Sequence, residues 1–191
     1  MSTLRRLLAG LAVLTGSVLP LSGVAVAEPR PIHADLAAIE TDDAVSPSLS
    51  PTTPRPLLRA CPIDGPATFE DSWGWARSGG RRHQGVDIIA DRGIPVLAVR
   101  DGSAHFKDSR LGGRSIWLTT DDGDRFFYAH LDAWEGSGRD VVAGEVIGYV
   151  GSTGNAHGPH LHFEVHPDGR VENPYPHTVG ACVPRGLTPE S

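Results

Sequence analysis

Between residues 86 and 166 the sequence is a series of short apolar runs separated by turn residues. Residues 115–119 and 125–128 form one pair of such runs, joined by the acidic, glycine-containing segment 121–124. Asp-Gly between β-prone runs favours a tight hairpin, because glycine accepts a positive φ. Apolar residues never recur here at helical spacing over two or three turns. The pattern predicts an all-β, mostly antiparallel fold in a single domain.

The amino-terminal segment predicts export from the cell. Arg5 and Arg6 precede an apolar run at residues 7–18, and the small residues at 25–27 form a cleavage pattern. This layout is typical of a secretory signal peptide, so we assign residues 1–27 to one. A retained membrane anchor is the alternative. The apolar run is shorter than the about 20 residues that span a bilayer, and we expect no stable membrane insertion after cleavage.

The composition changes again after the predicted signal peptide. Residues 28–60 contain six prolines together with many Ala, Ser and Thr residues. This composition predicts a disordered linker or pro-segment that forms no packed core. We place the folded domain at residues 61–183 and a flexible carboxy-terminal tail at 184–191.

The two cysteines predict a disulfide bond. Cys61 and Cys182 are the two cysteines of the chain and bracket the predicted domain, which in an exported protein favours a disulfide between them.

The formal net charge is −6, and Lys107 is the single lysine. Nucleic-acid binding depends on neutralising phosphates, so this balance predicts no nucleic-acid partner.

Two histidines lie two residues apart in the run of residues 159–165. In a strand, His160, His162 and Glu164 share one face, whereas the apolar residues between them share the other. Alone, this pattern is equally consistent with a metal site and with polar side chains on a solvated sheet face.

Two further segments add polar side chains of the same kind. His83 and Asp87 flank Gly85 in a loop that enters a β-branched run. His130 lies in the run Tyr-Ala-His-Leu, at the end of a predicted hairpin strand. A catalytic zinc site needs three protein ligands and one open position. His83, Asp87 and one histidine of the 160/162 pair meet that number.

Taken together, the motifs HxGxD, YAHL and GxTGxxxGPHLHFE resemble the lysostaphin-type (LytM-like) zinc endopeptidases of bacterial cell walls. The similarity runs from about residue 69 to residue 176 and so covers nearly the whole predicted domain. It implies a mostly antiparallel sheet lining a narrow active-site groove, one Zn²⁺ per chain, and peptidoglycan stem or cross-bridge peptides as substrates. It also implies a secreted, cell-wall-associated protein, for which a monomer is the default expectation.

The resemblance also implies a role for each motif residue. His83, Asp87 and His162 become zinc ligands, and His130 and His160 become catalytic residues. The motifs do not say which of the last two is the general base, which bond is cut, or whether residues 28–60 inhibit the site. Two rival functions stay open: an inactive wall-binding activator of another hydrolase, and a D-alanyl-D-alanine carboxypeptidase.

The remaining histidines are predicted to be neither metal ligands nor catalytic residues. His157 lies in the glycine-rich loop before the HLH motif and is expected to contact substrate at most. Surface positions are expected for His105, His166 and His177. Coverage of the metal by the pro-segment, through His33, Asp42 or Asp43, is a disfavoured alternative.

Overall fold

The structure, a computed structural model, describes residues 55–190 and consists mainly of short strands. The eleven strands are β1 Ala67–Phe69, β2 Val86–Ala90, β3 Pro95–Leu97, β4 Gly102–Ser109, β5 Gly113–Thr119, β6 Arg125–Leu131, β7 Ala133–Trp134, β8 Arg139–Val141, β9 Val146–Tyr149, β10 His160–His166 and β11 Thr188–Pro189. One α-helix, α1, spans Tyr175–Cys182, and short 3-10 turns lie at Ser78–Gly80, Pro167–Gly169 and Val183–Arg185.

The strands form two sheets. The larger has eight strands in the order β11-β1-β2-β10-β6-β5-β4-β8, and the smaller has the order β3-β9-β7. Every pairing is antiparallel except the one between β1 and β11. The predicted all-β, mostly antiparallel fold is therefore confirmed, as is the hairpin of β5 and β6, whose turn has Gly123 at a φ of 91°.

Both sheets contribute to one hydrophobic core. Val96 and Ile147 come from the smaller sheet, and Ile116, Phe126 and Phe163 come from the larger, all fully buried. Because only one face of the large sheet is needed for this core, the opposite face of its central strands is free to carry polar groups. β10 shows the alternation: Leu161 and Val165 are inaccessible to solvent, whereas the histidines between and beside them are not.

Helix α1 is the element that the sequence pattern did not predict. It has eight residues with a proline in its first turn, and of its side chains only Thr178 and Cys182 are buried. Two buried positions four residues apart give no repeating apolar stripe, so periodicity could not reveal it.

Cys182 forms a disulfide with Cys61, as predicted, and so ties α1 to the segment before β1 across 121 residues of sequence. Residues on both sides of the predicted bounds 61 and 183 also pack on the domain. Leu58 and Leu187 belong to the core, and Thr188–Pro189 pairs with β1. The predicted signal peptide and most of the predicted linker lie outside the described residues. Within residues 55–190, no helix is long and apolar enough to cross a membrane.

Candidate metal centre

Three predicted ligands meet at the centre of the large sheet. His162 on β10 lies directly opposite Asp87 on β2 in the antiparallel register, and His83 precedes β2. His83 Nε2 lies 2.9 Å from His162 Nδ1 and 3.0 Å from Asp87 Oδ1, and the last two atoms are 3.0 Å apart. Among residues 55–190, this is the group of His, Cys, Asp and Glu side chains close enough to hold a metal ion.

Gly85 makes this close arrangement sterically feasible. A Cβ atom at this position would lie 2.6 Å from His162 Cε1 and 2.6 Å from the carbonyl oxygen of Phe163. Both distances are shorter than real Cβ contacts, so any larger residue would displace the ring of His162 or the backbone of β10. The glycine of the HxGxD motif therefore serves packing against the second ligand strand.

Each ligand histidine is held by its other ring nitrogen. His83 Nδ1 lies 2.9 Å from the carbonyl oxygen of Ser72, and His162 Nε2 lies 2.8 Å from Glu164 Oε1. A carbonyl or carboxylate can only accept, so each of these ring nitrogens carries the proton. The nitrogens that face Asp87 then present lone pairs in the neutral rings. Such outer partners fix the tautomer and the orientation of metal-binding histidines.

The donor set fits a divalent cation. Two imidazole lone pairs and one carboxylate oxygen converge within 3.0 Å of one another, an arrangement that repels itself unless a positive charge lies between the atoms. Ligand atoms in a tetrahedral zinc site lie about 3.3 Å apart, close to the spacing here. Imidazole and carboxylate donors suit zinc, and three protein ligands leave a position for water or substrate.

In the metal-free protein, protonated histidine supplies the positive charge. Burial lowers the pKa of His162, but its hydrogen bonds to Asp87 and Glu164 outweigh burial and raise that pKa to about 9. Burial likewise raises the pKa of Asp87, yet the hydrogen bonds from His162 and His83 hold it well below its ordinary value. The pKa of Glu164 falls to about 2 because bonds from His162 and His166 outweigh its burial.

His130 reaches the site through an irregularity in β6. Strict alternation after Tyr128, which is fully buried, would turn His130 toward the core. Instead the pairing of β5 with β6 shifts register between Arg114 and Ile116, and His130 has a φ of 66°. This bulge returns Leu131 to the core and packs the His130 ring against His160, with the ring centroids 4.8 Å apart.

The rings of His130 and His160 are oriented alike. His130 Nδ1 lies 2.9 Å from the carbonyl oxygen of Thr153, and His160 Nδ1 lies 2.9 Å from that of Gly158. Both rings therefore donate a hydrogen bond through Nδ1, which leaves Nε2 available to accept a proton. His160 Nε2 lies 3.8 Å from Asp87 Oδ1, at the edge of the ligand triangle. Burial lowers the pKa of His130 to about 4, so its ring is neutral at neutral pH.

A groove of about 840 Å³ contains the five predicted residues. Its lining also includes the turn that ends β4, the loop 155–159, and arginine side chains between residues 77 and 82. His157 of that loop is exposed and lines the groove. His105 is exposed, as expected, and His177 is half-buried. His33, Asp42 and Asp43 lie outside the described residues.

Three contacts of the site were not foreseen from the sequence. Arg77 Nη2 donates to Asp87 Oδ2 at 2.6 Å, Glu164 holds His162, and His166, which was expected at the surface, is half-buried and bonds Glu164 at 2.7 Å. The alternation along β10 places Glu164 and His166 on the same face of the strand as His162, the predicted ligand. The sequence therefore indicated that both side chains lie near the site. No pattern in the sequence pairs Arg77 with Asp87.

Comparison with known proteins places this site in a family. Residues 81–174, which include all five predicted site residues, match the model of Peptidase family M23. The catalytic domain of the antimicrobial peptidase lysostaphin from Staphylococcus simulans shares the fold with a TM-score of 0.52 and 34% identity, over 56% of this chain and 88% of that domain. The chain belongs to peptidase family M23. The resemblance inferred from the motifs is thereby confirmed, and with it the metallopeptidase class.

Two relatives of this M23 chain are similar over part of their length. The DD-carboxypeptidase/endopeptidase Mpg of Neisseria meningitidis serogroup B is 43% identical over 95 residues, which are 49% of this chain and 22% of that protein. The L-Ala–D-Glu endopeptidase of Bacillus subtilis is 37% identical over 133 residues, covering 61% of this chain and 41% of that protein. This chain thus spans less than half the length of either relative.

Proposed function

We propose that the protein is a secreted zinc-dependent endopeptidase that hydrolyses peptide cross-links of bacterial peptidoglycan. The observation that carries the proposal is the ligand triangle of His83, Asp87 and His162 with two further histidines, His130 and His160, beside its open side. Membership of family M23 and relatives named as endopeptidases support the same reading.

His83, Asp87 and His162 would hold the zinc ion. Zinc in such a site acts as a Lewis acid and makes water nucleophilic near neutral pH. The remaining steps are carried out by residues of the protein itself. Glu164 and the carbonyl of Ser72 accept hydrogen bonds from the proton-bearing nitrogens of the neutral rings, so that the lone pairs of His162 and His83 lie on the side of Asp87. The groove orients the peptide across this point.

The tautomers of His130 and His160 limit what these rings do. With Nδ1–H engaged by a carbonyl, a neutral ring has only an acceptor at Nε2. One of the two rings can therefore accept a proton from the attacking water. Only after protonation can an Nε2 donate to the developing oxyanion or to the leaving nitrogen.

The test is digestion of purified cross-linked peptidoglycan by residues 28–191, with zinc and with a chelator, followed by mass analysis. We expect chelator-sensitive loss of cross-linked dimers, and the new termini identify the bond. The His162→Ala variant, which lacks one ligand, is the matched inactive control. Absence of cleavage by folded, zinc-loaded protein, both with residues 28–54 and after their removal, would overturn the proposal and favour a wall-binding role.

A second activity is favoured by one observation. The Neisseria relative is named a DD-carboxypeptidase as well as an endopeptidase. The same digest separates the two, because a carboxypeptidase releases single terminal D-alanine and leaves cross-links closed. An inactive activator is disfavoured, since all five polar positions are present and lie together.

Export of the protein is part of this proposal. It rests on the signal-peptide pattern of residues 1–27, and a substrate in the cell wall requires it. Detection of the mature protein in the culture medium or the wall fraction, with its amino terminus at residue 28, is the expected result. The monomeric state stays a prediction.

A further inference from the structure

A hairpin bearing three arginines borders the groove. We call residues 74–83 the arginine hairpin. Its two arms are joined by backbone bonds from Gly74 N to the carbonyl of His83 and from His83 N to the carbonyl of Trp75, both 2.9 Å long. The turn at Ser78–Gly80 closes it, with positive φ at both glycines. His83, a predicted ligand, thus anchors the hairpin at its base.

The charges that line the groove are unevenly distributed. The whole chain is acidic, with 23 acidic and 17 basic residues. The acidic lining residues are Asp87 and Glu164, and both are bonded to histidines of the metal centre. The basic lining residues are Arg77, Arg81 and Arg82. Apart from the metal centre itself, the groove therefore offers positive charge alone.

Two of these arginines have no carboxylate partner in the described part of the chain. Arg81 donates to the carbonyl and the hydroxyl of Ser78, both at 3.2 Å, and Arg82 donates to the carbonyl of Gly74 at 3.1 Å. Among the ion pairs of residues 55–190, neither appears, whereas Arg77 is paired with Asp87. The bonds to Ser78 and Gly74 orient the two guanidinium groups and leave other N–H donors of each fork unused.

We propose that the arginine hairpin binds a carboxylate of the peptide substrate, so that the enzyme selects acidic stem peptides over neutral bridges such as oligoglycine. This inference rests on the proposed function. A guanidinium fork matches a carboxylate with two parallel hydrogen bonds, and a neutral peptide offers no such partner. The carboxylate is either that of an acidic residue within the stem or that of a peptide terminus.

The test compares peptides that differ in one charge. Each cross-linked stem peptide is prepared with the internal carboxylate free or as a carboxamide, and with the terminal carboxylate free or amidated. Binding is measured by calorimetry to the zinc-loaded His160→Ala variant, in which turnover is expected to be lost. Cleavage by the otherwise unaltered enzyme is measured in parallel as kcat and KM.

We expect one of the two carboxylates to strengthen binding about tenfold over its amide, mainly through KM, with an advantage that shrinks as salt is added. Arg81→Gln with Arg82→Gln should reduce this preference to about twofold or less. Zinc also attracts carboxylates. Only the part of the carboxylate preference that the double variant loses is therefore assigned to the arginine hairpin. The matched control, Arg92→Gln with Arg170→Gln, removes two exposed positive charges outside the groove lining and should keep the preference.

Equal binding of carboxylate and amide peptides would overturn the inference, and so would a preference that survives in the hairpin variant. These outcomes are separable from failure of the proposed function. If the enzyme cleaves peptides without charge preference, the endopeptidase stands and the hairpin inference fails. If nothing is cleaved, the binding measurement still decides the role of the hairpin.

Discussion

Asp87 lies directly opposite His162 across the β2–β10 pair, and its two carboxylate oxygens have different partners. Oδ1 is 3.0 Å from His162 Nδ1 and faces the ligand triangle, whereas Oδ2 is 2.6 Å from Arg77 Nη2. The carboxylate is thus oriented from both sides, with one oxygen facing the predicted metal position. Comparable outer contacts hold both ligand histidines, which leads to the first prediction.

Glu164→Ala should weaken zinc binding by about 10- to 100-fold, because His162 loses the acceptor that fixes its tautomer. Zinc affinity is measured by competition with a calibrated chelator. The matched control is Glu172→Ala, which removes an exposed carboxylate outside the groove and should bind zinc normally. Unchanged affinity in Glu164→Ala would show that the tautomer of His162 is fixed in another way.

Gly85→Ala should lower both zinc affinity and thermal stability, because its Cβ would lie 2.6 Å from His162 Cε1 and from the Phe163 carbonyl oxygen. We expect a loss of about 1–3 kcal/mol, typical of overpacking in a tight site. Gly180→Ala is the control: nothing lies within 4 Å of its Cβ position, which is inside α1. That variant should be neutral or slightly more stable. Equal effects in both variants would contradict the steric argument.

His130→Ala and His160→Ala should each lower kcat by about 10²- to 10⁴-fold while zinc stays bound, because neither ring belongs to the candidate metal-binding group of His83, Asp87 and His162. Since His130 has a φ of 66°, His130→Asn is a second variant that tolerates this backbone. Metal content and kcat are measured on the same samples. Loss of zinc from His160→Ala would mean that His160 and His162 exchange roles.

Regular strand geometry made part of the site predictable from the sequence, whereas irregular backbone and long side-chain contacts did not. The period-2 alternation of β10 identified the shared face of His160, His162 and Glu164, because a regular strand fixes side-chain direction. The direction of His130 depends on a bulge, which alternation cannot reveal. The Arg77–Asp87 pair joins a turn to a strand through side-chain reach alone, and α1 is too short to show a periodic pattern.

The disulfide should contribute strongly to stability. Cys61 and Cys182 are separated by 121 residues, and closing so long a loop restricts the unfolded chain by about 5 kcal/mol in the chain-entropy model. The double variant Cys61→Ala with Cys182→Ala should therefore unfold at much lower denaturant concentration. Unfolding is followed by chemical denaturation with and without zinc. A midpoint equal to that of the oxidised parent would contradict the prediction.

The last prediction concerns pH and the metal-free protein. The pKa of His162 is raised from 6.5 to about 9 in the folded state by its bonds to Asp87 and Glu164, against the effect of burial. A raised pKa means that the folded state binds the proton more tightly than the unfolded state. The resulting stabilisation, about 3 kcal/mol, is complete below pH 6.5 and is lost as the pH rises through 9.

The Tm of chelator-treated protein should therefore fall between pH 6.5 and 9, whereas the Tm of zinc-loaded protein should not fall in this way, because the ion replaces the proton. Zinc binding at pH 7 should release about one proton, which calorimetry in buffers of different ionisation enthalpy detects. In the metal-free Glu164→Gln variant the fall in Tm should begin at lower pH, because one of the two acceptors of His162 loses its charge. A metal-free Tm that stays constant across this range would show that His162 carries no proton in the absence of zinc.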